Sequence, residues 1–274
     1  MHPAFHFSKP RLMAILNVTP DSFSDGGLLY SHAALDLDKV AKRVQAMVDE
    51  GADIIDVGGE STRPGARAIT VEQELERVLP VVEWIARETS VAISVDTSSP
   101  EVMTAAAAAG AHLINDVRAL ERPGAITAAA QTKLPVCLMH MQGAPATMQA
   151  APSYNNVVTE VSSYLQNRIS ECLVAGIAPG HIWVDPGFGF GKTLEHNLAL
   201  LRQLPEIASL GFPVLVGVSR KSMIEHLLKR DLHDRLPASL ALGLIALERG
   251  AKILRVHDVA ATRDIIDTFV AINC

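Results

Sequence analysis

The sequence predicts an α/β fold in which eight β-strands alternate with helices along its 274 residues. Short apolar runs of strand length recur along the chain, and longer stretches with helical periodicity separate them. Hydrophobic residues make up 49% of the chain and aromatic residues only 4%, which is typical of helices packed on buried parallel strands. No linker interrupts the alternation. The chain is therefore predicted to be a single domain, residues 1–274, whose strands close into a (β/α)8 barrel, or TIM barrel.

The predicted strands are short runs rich in Ile, Leu and Val, at residues 12–18, 53–57, 92–96, 112–117, 135–140, 182–185, 214–218 and 253–257. The predicted helices have apolar residues at helical spacing, at residues 34–50, 71–88, 100–109, 124–132, 154–175, 194–204, 223–228, 236–249 and 259–272. Several of these helices end just before a glycine, which readily adopts the left-handed conformation found after helices: Gly51, Gly110, Gly176 and Gly250.

A doubly wound open sheet is the alternative arrangement of alternating strands and helices. Such a fold usually carries a glycine-rich turn after its first strand. Here the first strand instead runs into Asn17, Val18, Thr19 and Pro20. The closed barrel is therefore favoured.

Composition and charge narrow the possible functions. The net charge of −6 gives no overall attraction for nucleic acid or for an anionic membrane. Residues 1–10 lack the apolar run of a secretion signal, and no apolar segment approaches the ~20 residues of a membrane-spanning helix. Cys137, Cys172 and Cys274 are too few and too widely spaced for a disulfide framework or a zinc motif. These features predict a cytoplasmic protein that binds neither nucleic acid nor membranes.

Polar or charged residues lie at the carboxyl end of every predicted strand: Asn17, Asp56, Asp96, Asn115, His140, Asp185, Ser219 with Lys221, and Arg255 with His257. In a (β/α)8 barrel, active sites lie at this end of the strands. Buried charges are costly unless they are paired or bind a ligand. The pattern therefore predicts an active site. The alternative is a network of buried salt bridges that only closes the barrel.

The chemistry of these residues indicates the kind of ligand. Asp96, Asn115 and Asp185 accept hydrogen bonds and suit a flat heterocycle with several N–H donors. A second set donates hydrogen bonds and suits phosphate oxygens or ring acceptors: Arg63, Lys221, Arg255 and His257. A small molecule with an amino-substituted heterocycle at one end and a phosphate at the other fits both sets.

The loops after the strands support this interpretation. Residues 19–27 and 58–65 are rich in glycine, proline and hydroxyl residues, as expected for lids over a substrate. Residues 185–192 are similar to a phosphate-binding loop, but the first glycine of that motif falls on Pro186, which excludes it. The short helix after strand seven begins near Ser222, where its free N–H groups would bind a carboxylate or phosphate. A plain helix cap at Ser222 is the simpler alternative.

These stretches resemble the signatures of the bacterial dihydropteroate synthases, a family of pterin-binding TIM barrels. The similar segments follow the family's order and cover nearly the whole chain: residues 17–27, 56–65, 94–97, 115–116, 139–141, 185–192, 219–222 and 255–258. The resemblance implies a transferase of folate biosynthesis, of a family that sulfonamides target. Such an enzyme condenses 6-hydroxymethyl-7,8-dihydropterin diphosphate with p-aminobenzoate, giving 7,8-dihydropteroate and diphosphate.

The resemblance also implies roles for individual residues. The pterin diphosphate would be bound by Thr62, Asp96, Asn115, Met139, Asp185, Lys221, Arg255 and His257. The p-aminobenzoate would be bound by Phe23, Thr62, Pro64, Phe190 and Ser222. The residues expected to act in catalysis are Arg63, Lys221, Arg255 and His257. Asn17 would ligate Mg2+ on the diphosphate, because its neutral oxygen suits a hard cation that keeps most of its waters.

Further expectations complete this hypothesis. Asp56, His140 and Arg220 are weaker candidates: Asp56 is expected to brace the second loop and His140 to be a satisfied histidine at the top of the barrel. The family also implies a homodimer. Two rival functions remain open, a pterin-binding methyltransferase barrel and a non-catalytic pterin-binding protein. Neither needs the predicted diphosphate site.

Overall fold

Eight parallel strands form one sheet, as the sequence predicts. The computed structural model describes residues 2–20, 29–31, 34–61, 69–143, 148 and 151–273. The strands are β1 (Arg11–Asn17), β2 (Ile54–Gly58), β3 (Ala92–Asp96), β4 (Leu113–Asp116), β5 (Val136–Met139), β6 (Ile182–Asp185), β7 (Leu215–Val216) and β8 (Ile253–Val256). Their order in the sheet is β6-β5-β4-β3-β2-β1-β8-β7. A parallel bridge between Val184 and Val214 brings β6 beside the β7 segment, so the sheet curls into a barrel.

Helices cover the outside of the barrel. They are α1 (Leu37–Asp49), α2 (Val71–Glu88), α3 (Pro100–Ala108), α4 (Ala125–Thr132), α5 (Val157–Val174), α6 (Leu194–Arg202), α7 (Leu204–Ala208), α8 (Ser222–Leu228), α9 (Leu236–Glu248) and α10 (Val259–Asn273). The glycines predicted to end helices all have positive φ: Gly51, Gly110, Gly176 and Gly250. None of the helices in the described ranges is long and apolar enough to cross a membrane.

Three of the predicted helix boundaries are wrong. The helix predicted at 154–175 begins only at Val157, where the side chain of Asn156 accepts hydrogen bonds from backbone N–H groups of the first turn. Residues 34–50 are not one helix, because Ala34–Leu35 pairs with Tyr30–Ser31 in a short antiparallel ribbon. The helix begins only at Leu37, where the side chain of Asp36 accepts hydrogen bonds from backbone N–H groups of the first turn. The predicted helix at 194–204 is interrupted at Gln203, and α7 then begins with Pro205 in its first turn.

The inside of the barrel is apolar at the amino ends of the strands and polar at their carboxyl ends. The apolar layer consists of Met13, Ile54, Ala92, Leu113, Cys137, Trp183, Leu215 and Ile253. Phe5 packs edge-on against Trp183, with ring centroids 4.9 Å apart, and covers this end. Because successive side chains of a strand alternate between its faces, the next inward positions are Asp56, Ser94, Asn115 and Arg255. The functional site therefore forms at the carboxyl end.

Candidate active site

Four polar side chains from four strands meet inside the carboxyl end of the barrel. Arg255 donates from Nε to Oδ2 of Asp56 at 2.6 Å and from Nη2 to Oδ2 of Asp96 at 2.9 Å. Asn115 donates from Nδ2 to the same Asp56 oxygen at 3.2 Å. Burial raises the pKa of Asp96 to about 8, with Arg255 acting against the shift and Asp56 adding to it. Part of the rim is thus a buried ion-pair network, as the alternative interpretation expected.

Asp185 and Lys221 form a second part of the site. Asp185 ends β6, and Lys221 lies in the segment after β7. Oδ1 of Asp185 accepts a hydrogen bond from the Gly187 N–H at 2.7 Å. The Lys221 amine donates to the carbonyl of Phe188 and lies 4.7 Å from the centre of the Phe190 ring. Burial raises the pKa of Asp185 and lowers that of Lys221 to about 8, and each group's charge opposes the shift of the other.

A salt-bridge network that only closes the barrel does not explain the positions of Asp185 and Lys221. In the described residues, Lys221 makes no direct ion pair with Asp185 but donates to a backbone carbonyl. The Asp185 side chain is only 6% exposed, so its carboxylate is kept in a costly environment. A buried acidic and a buried basic group with shifted pKa values are typical of a ligand-binding or catalytic site.

The segment after β7 carries the predicted anion site. Lys221 occupies the cap position of α8 without a side-chain capping bond, and Ser222 is the first helical residue. The interpretation of Ser222 as a plain helix cap is therefore wrong. Ser219 lies close to this turn, with its Oγ 3.1 Å from Nδ1 of His257. Arg220 is held by two hydrogen bonds to the carboxylate of Asp258.

Asn17 lies at the end of β1, where its amide oxygen faces a carboxylate across a glycine. A Cβ atom on Gly58 would lie 3.6 Å from Oδ1 of Asn17 and 3.8 Å from Oδ2 of Asp96. The two oxygens therefore border the same space. Oxygen donors of this kind suit Mg2+, which keeps several of its own waters. Within the described ranges, no group of three or more His, Cys, Asp or Glu side chains could hold a metal ion.

Lys192 is a buried residue to which the sequence pattern assigns no role. Its amine donates to the carbonyls of Gly187 at 2.9 Å and Phe190 at 3.0 Å. It also lies 3.0 Å from Nδ1 of His140. Burial lowers the pKa of Lys192 to about 7, and burial together with Lys192 lowers that of His140 to about 3. The only signal in the sequence is its position at the end of the glycine-rich segment 185–192.

Asp56 and the described part of the second loop, residues 58–61, make hydrogen bonds to residues in or after other strands. Among the described residues, Asp56 accepts from Arg255 and Asn115. Glu60, in the described part of that loop, pairs with Arg118, Oε2 to Nη1 at 3.1 Å. No sequence signal links these two residues, because they follow different strands.

The remaining predicted residues divide into two groups. Met139, at the end of β5, is buried and pairs in register with Asp185. Phe190 lies under the Lys221 amine. The other candidates lie outside the described residues: Phe23, Thr62, Arg63 and Pro64. Of the predicted site residues, the structure thus describes Asn17, Asp96, Asn115, Met139, Asp185, Phe190, Lys221, Ser222, Arg255 and His257.

The chain is similar to known enzymes over nearly its whole length. Residues 13–257 match the family described as pterin binding enzyme. A dihydropteroate synthase of Escherichia coli strain K12 is 57% identical over 255 residues, which are 93% of this chain and 89% of that protein.

Solved structures agree with this similarity. A Yersinia pestis dihydropteroate synthase in complex with a sulfonamide drug superposes with a TM-score of 0.93 at 49% identity, covering 97% of this chain and 95% of that one. A Xanthomonas albilineans dihydropteroate synthase in complex with 7,8-dihydropteroate has a TM-score of 0.84 at 42% identity, covering 98% of this chain and 95% of that one. The chain therefore belongs to the dihydropteroate synthase family of pterin-binding enzymes.

Proposed function

We propose that this enzyme condenses 6-hydroxymethyl-7,8-dihydropterin diphosphate with p-aminobenzoate, giving 7,8-dihydropteroate and diphosphate. The observation that carries the proposal is a set of four polar residues at one end of the barrel, of which Asn115 and Asp185 are buried and Asp96 and Lys221 half-buried. Acceptors and a cation of this kind suit the N–H groups and the ring acceptors of a pterin. The relative from Xanthomonas albilineans, solved with 7,8-dihydropteroate, supports the same chemistry.

The pterin ring would lie in the mouth of the barrel. Asp185 would accept from the ring N–H and the exocyclic amine, since a carboxylate can take two parallel hydrogen bonds. Lys221 would donate to a ring nitrogen and to the carbonyl oxygen. Arg255 would cover one face of the ring, and Met139 would supply an apolar wall.

The p-aminobenzoate would lie beside the diphosphate end. Ser222 begins α8, and the N–H groups of a first helical turn bind carboxylates well. Phe190, next to the Lys221 amine, would contact the benzene ring. The remaining contacts that we propose come from the two loops: Phe23, Thr62 and Pro64.

The diphosphate needs positive charge and hydrogen-bond donors. We propose that Thr62, Arg63, Arg255 and His257 supply them. Asn17 would hold Mg2+, in keeping with its amide oxygen facing Asp96 across Gly58. When bound, the cation supplies charge that offsets the negative charge on the leaving diphosphate.

The chemistry then needs alignment more than proton transfer. An arylamine is neutral and nucleophilic at neutral pH, so the attack requires no general base. The amine nitrogen forms a bond to the pterin CH2 carbon, the C–O bond to diphosphate breaks, and the nitrogen loses a proton to water. Asp96 and Asp185 would stabilise positive charge that spreads into the ring, which favours departure before attack. Positional isotope exchange in the diphosphate, measured without p-aminobenzoate, supports this order if it occurs. A reaction rate that rises steeply with the nucleophilicity of the amine contradicts it.

A pyrophosphate-release assay tests the overall function. The protein is incubated with the pterin diphosphate, with and without p-aminobenzoate and Mg2+. Release that depends on both additions, with dihydropteroate as product, is the expected result. Binding without release would indicate the non-catalytic alternative. Methyl transfer to or from a pterin would indicate the methyltransferase alternative, which has no use for the predicted diphosphate site.

The oligomeric state and the cellular location are also part of the proposal. We propose a homodimer, as the family resemblance implies, and light scattering of the purified protein tests it. We also propose that the enzyme works in the cytoplasm; Cys137 and Cys172, which are free and buried, agree with a reducing compartment.

A further inference from the structure

Asp56 is a buried carboxylate that no step of the proposed reaction uses. It lies on β2, one inward position deeper than the rim, with Ile15 and Ser94 as its neighbours in register. Its side chain is 0% exposed. A carboxylate in such a place is costly unless its partners repay the cost. Its partners therefore indicate its purpose.

Both partners of Asp56 are residues that we propose to bind the pterin. Oδ2 accepts from Nε of Arg255 at 2.6 Å and from Nδ2 of Asn115 at 3.2 Å. These side chains come from β8 and β4, which lie on either side of β1, β2 and β3 in the sheet. The second carboxylate on Arg255, Asp96, binds Nη2. The guanidinium is thus fixed at two points, and Nη1 makes no hydrogen bond to the described residues.

The contact with Asn115 fixes which end of its amide faces Asp56. A carboxylate can only accept hydrogen bonds, so Asn115 must turn its NH2 group toward Asp56. Its carbonyl oxygen is then directed away from Asp56. An oxygen in this position can accept from an N–H of a heterocycle, whereas the flipped amide would offer a second donor. The acidic partner beneath the rim therefore sets the hydrogen-bonding character of Asn115.

We propose that Asp56 is a positioning residue that presets Arg255 and the amide of Asn115 for the pterin ring. The inference rests on the proposed function, since it concerns the pterin half of that site. Asp56 itself need not touch the substrate. It acts by restricting two side chains before the ligand arrives, which reduces the entropy that binding has to overcome.

Exchange of amide and carboxylate between positions 56 and 115 tests the proposal. Asp56→Asn in the wild-type protein removes the partner that can only accept hydrogen bonds. The Kd of pterin diphosphate should then rise about tenfold. The Kd is measured by calorimetry, with Mg2+ present and p-aminobenzoate absent. Asn115→Asp sets two carboxylates side by side and should also weaken binding. Adding Asp56→Asn to Asn115→Asp restores one donor and one acceptor, so the same substitution should now lower the Kd. This reversal of sign is not expected of a merely structural residue.

Control measurements separate positioning from general damage to the barrel. Ser94→Ala is the control. Ser94 pairs in register with Asp56, and its buried hydroxyl has no hydrogen-bond partner among the described residues. The substitution should leave the Kd of pterin diphosphate within about twofold of the wild-type value. The KM for p-aminobenzoate should change by less than about twofold in Asp56→Asn. Asp56→Leu, which offers no acceptor, should weaken pterin binding more than Asp56→Asn; if it does not fold, the exchange experiment alone carries the test.

The outcomes are distinct. If Asp56→Asn has the same sign of effect in both backgrounds, or raises the KM for p-aminobenzoate as much as the Kd of the pterin, the positioning role is wrong. If the wild-type protein releases no pyrophosphate, the proposed function fails. Turnover by the wild-type protein without the reversal of sign overturns only the inference about Asp56.

Discussion

The amine of Lys192 lies 3.0 Å from Nδ1 of His140, behind the loop that follows β6. The same amine donates to the carbonyls of Gly187 and Phe190, so one buried side chain joins both ends of this turn. Gly187, Gly189 and Gly191 all have positive φ in the turn, which makes its backbone costly to hold without such support. The turn carries the N–H that binds Asp185 and the carbonyl that binds Lys221.

Lys192→Met should destabilise the protein and weaken pterin binding together. Methionine fills a similar volume but leaves the carbonyls of Gly187 and Phe190 without their donor. The free energy of unfolding, from urea titration, should fall by about 2–4 kcal/mol. Lys42→Met, at an exposed position of α1, is the control and should have little effect. A stability equal to that of the control would show that the turn does not depend on Lys192.

His140→Gln should change how stability depends on pH. The pKa of His140 is lowered from 6.5 to about 3 by burial and by Lys192, so the unfolded chain takes up a proton between these values and the folded protein does not. Stability is therefore lost as the pH falls below 6.5, by up to about 1.4 kcal/mol per pH unit from this group. Unfolding titrations across this range should show a shallower loss in His140→Gln. The exposed His233→Gln should keep the wild-type slope; equal slopes in all three proteins contradict the assignment.

Asp185→Asn should weaken pterin diphosphate binding without unfolding the protein. The asparagine oxygen can still accept from Gly187, but the charge that would bind the pterin N–H groups is lost. Calorimetry should show a Kd about 100-fold higher, as for the loss of charged hydrogen bonds. The unfolding midpoint should not fall, because a buried carboxylate is replaced by a neutral group. Asp267→Asn on α10, whose side chain is 64% exposed, is the matched control. An unchanged affinity would remove Asp185 from the site.

Lys221→Arg should remove a loss of activity at alkaline pH. Burial lowers the pKa of Lys221 to about 8, with Asp185 opposing, so the wild-type amine loses its proton above this value. The wild-type kcat/KM for pterin diphosphate should therefore fall above about pH 8, since this parameter reports groups of the free enzyme. An arginine stays protonated, so the variant should be less active but without this decrease. A decrease that persists unchanged in Lys221→Arg would belong to another group.

The barrel was predictable from the sequence because its signals are local. Strand residues such as those of β3 follow from a short buried run, and Gly110 marks the end of α3, the helix after β3, because it adopts positive φ. The errors arose where a single side chain overrides periodicity. Asp36 starts α1 later than the apolar pattern suggests, and α7 begins at Leu204, with Pro205 in its first turn, where the predicted helix at 194–204 ends. Neither error changes the order of the strands, so the sequence still predicts which polar residues lie at the carboxyl ends of the strands.

Local residue patterns are enough to predict the alternation of strands and helices, the end of the barrel that carries polar residues, and the motifs shared with the family. The pairing of these polar groups with one another is visible only in the folded barrel. Asp56 meets Arg255 across 199 positions of the chain, and His140 meets Lys192 across 52. Backbone conformation and the alternation of buried faces are set within a few residues, and so they leave a trace in the sequence. Hydrogen bonds between distant side chains arise only when the barrel closes, because closure alone fixes their distances and removes competing water.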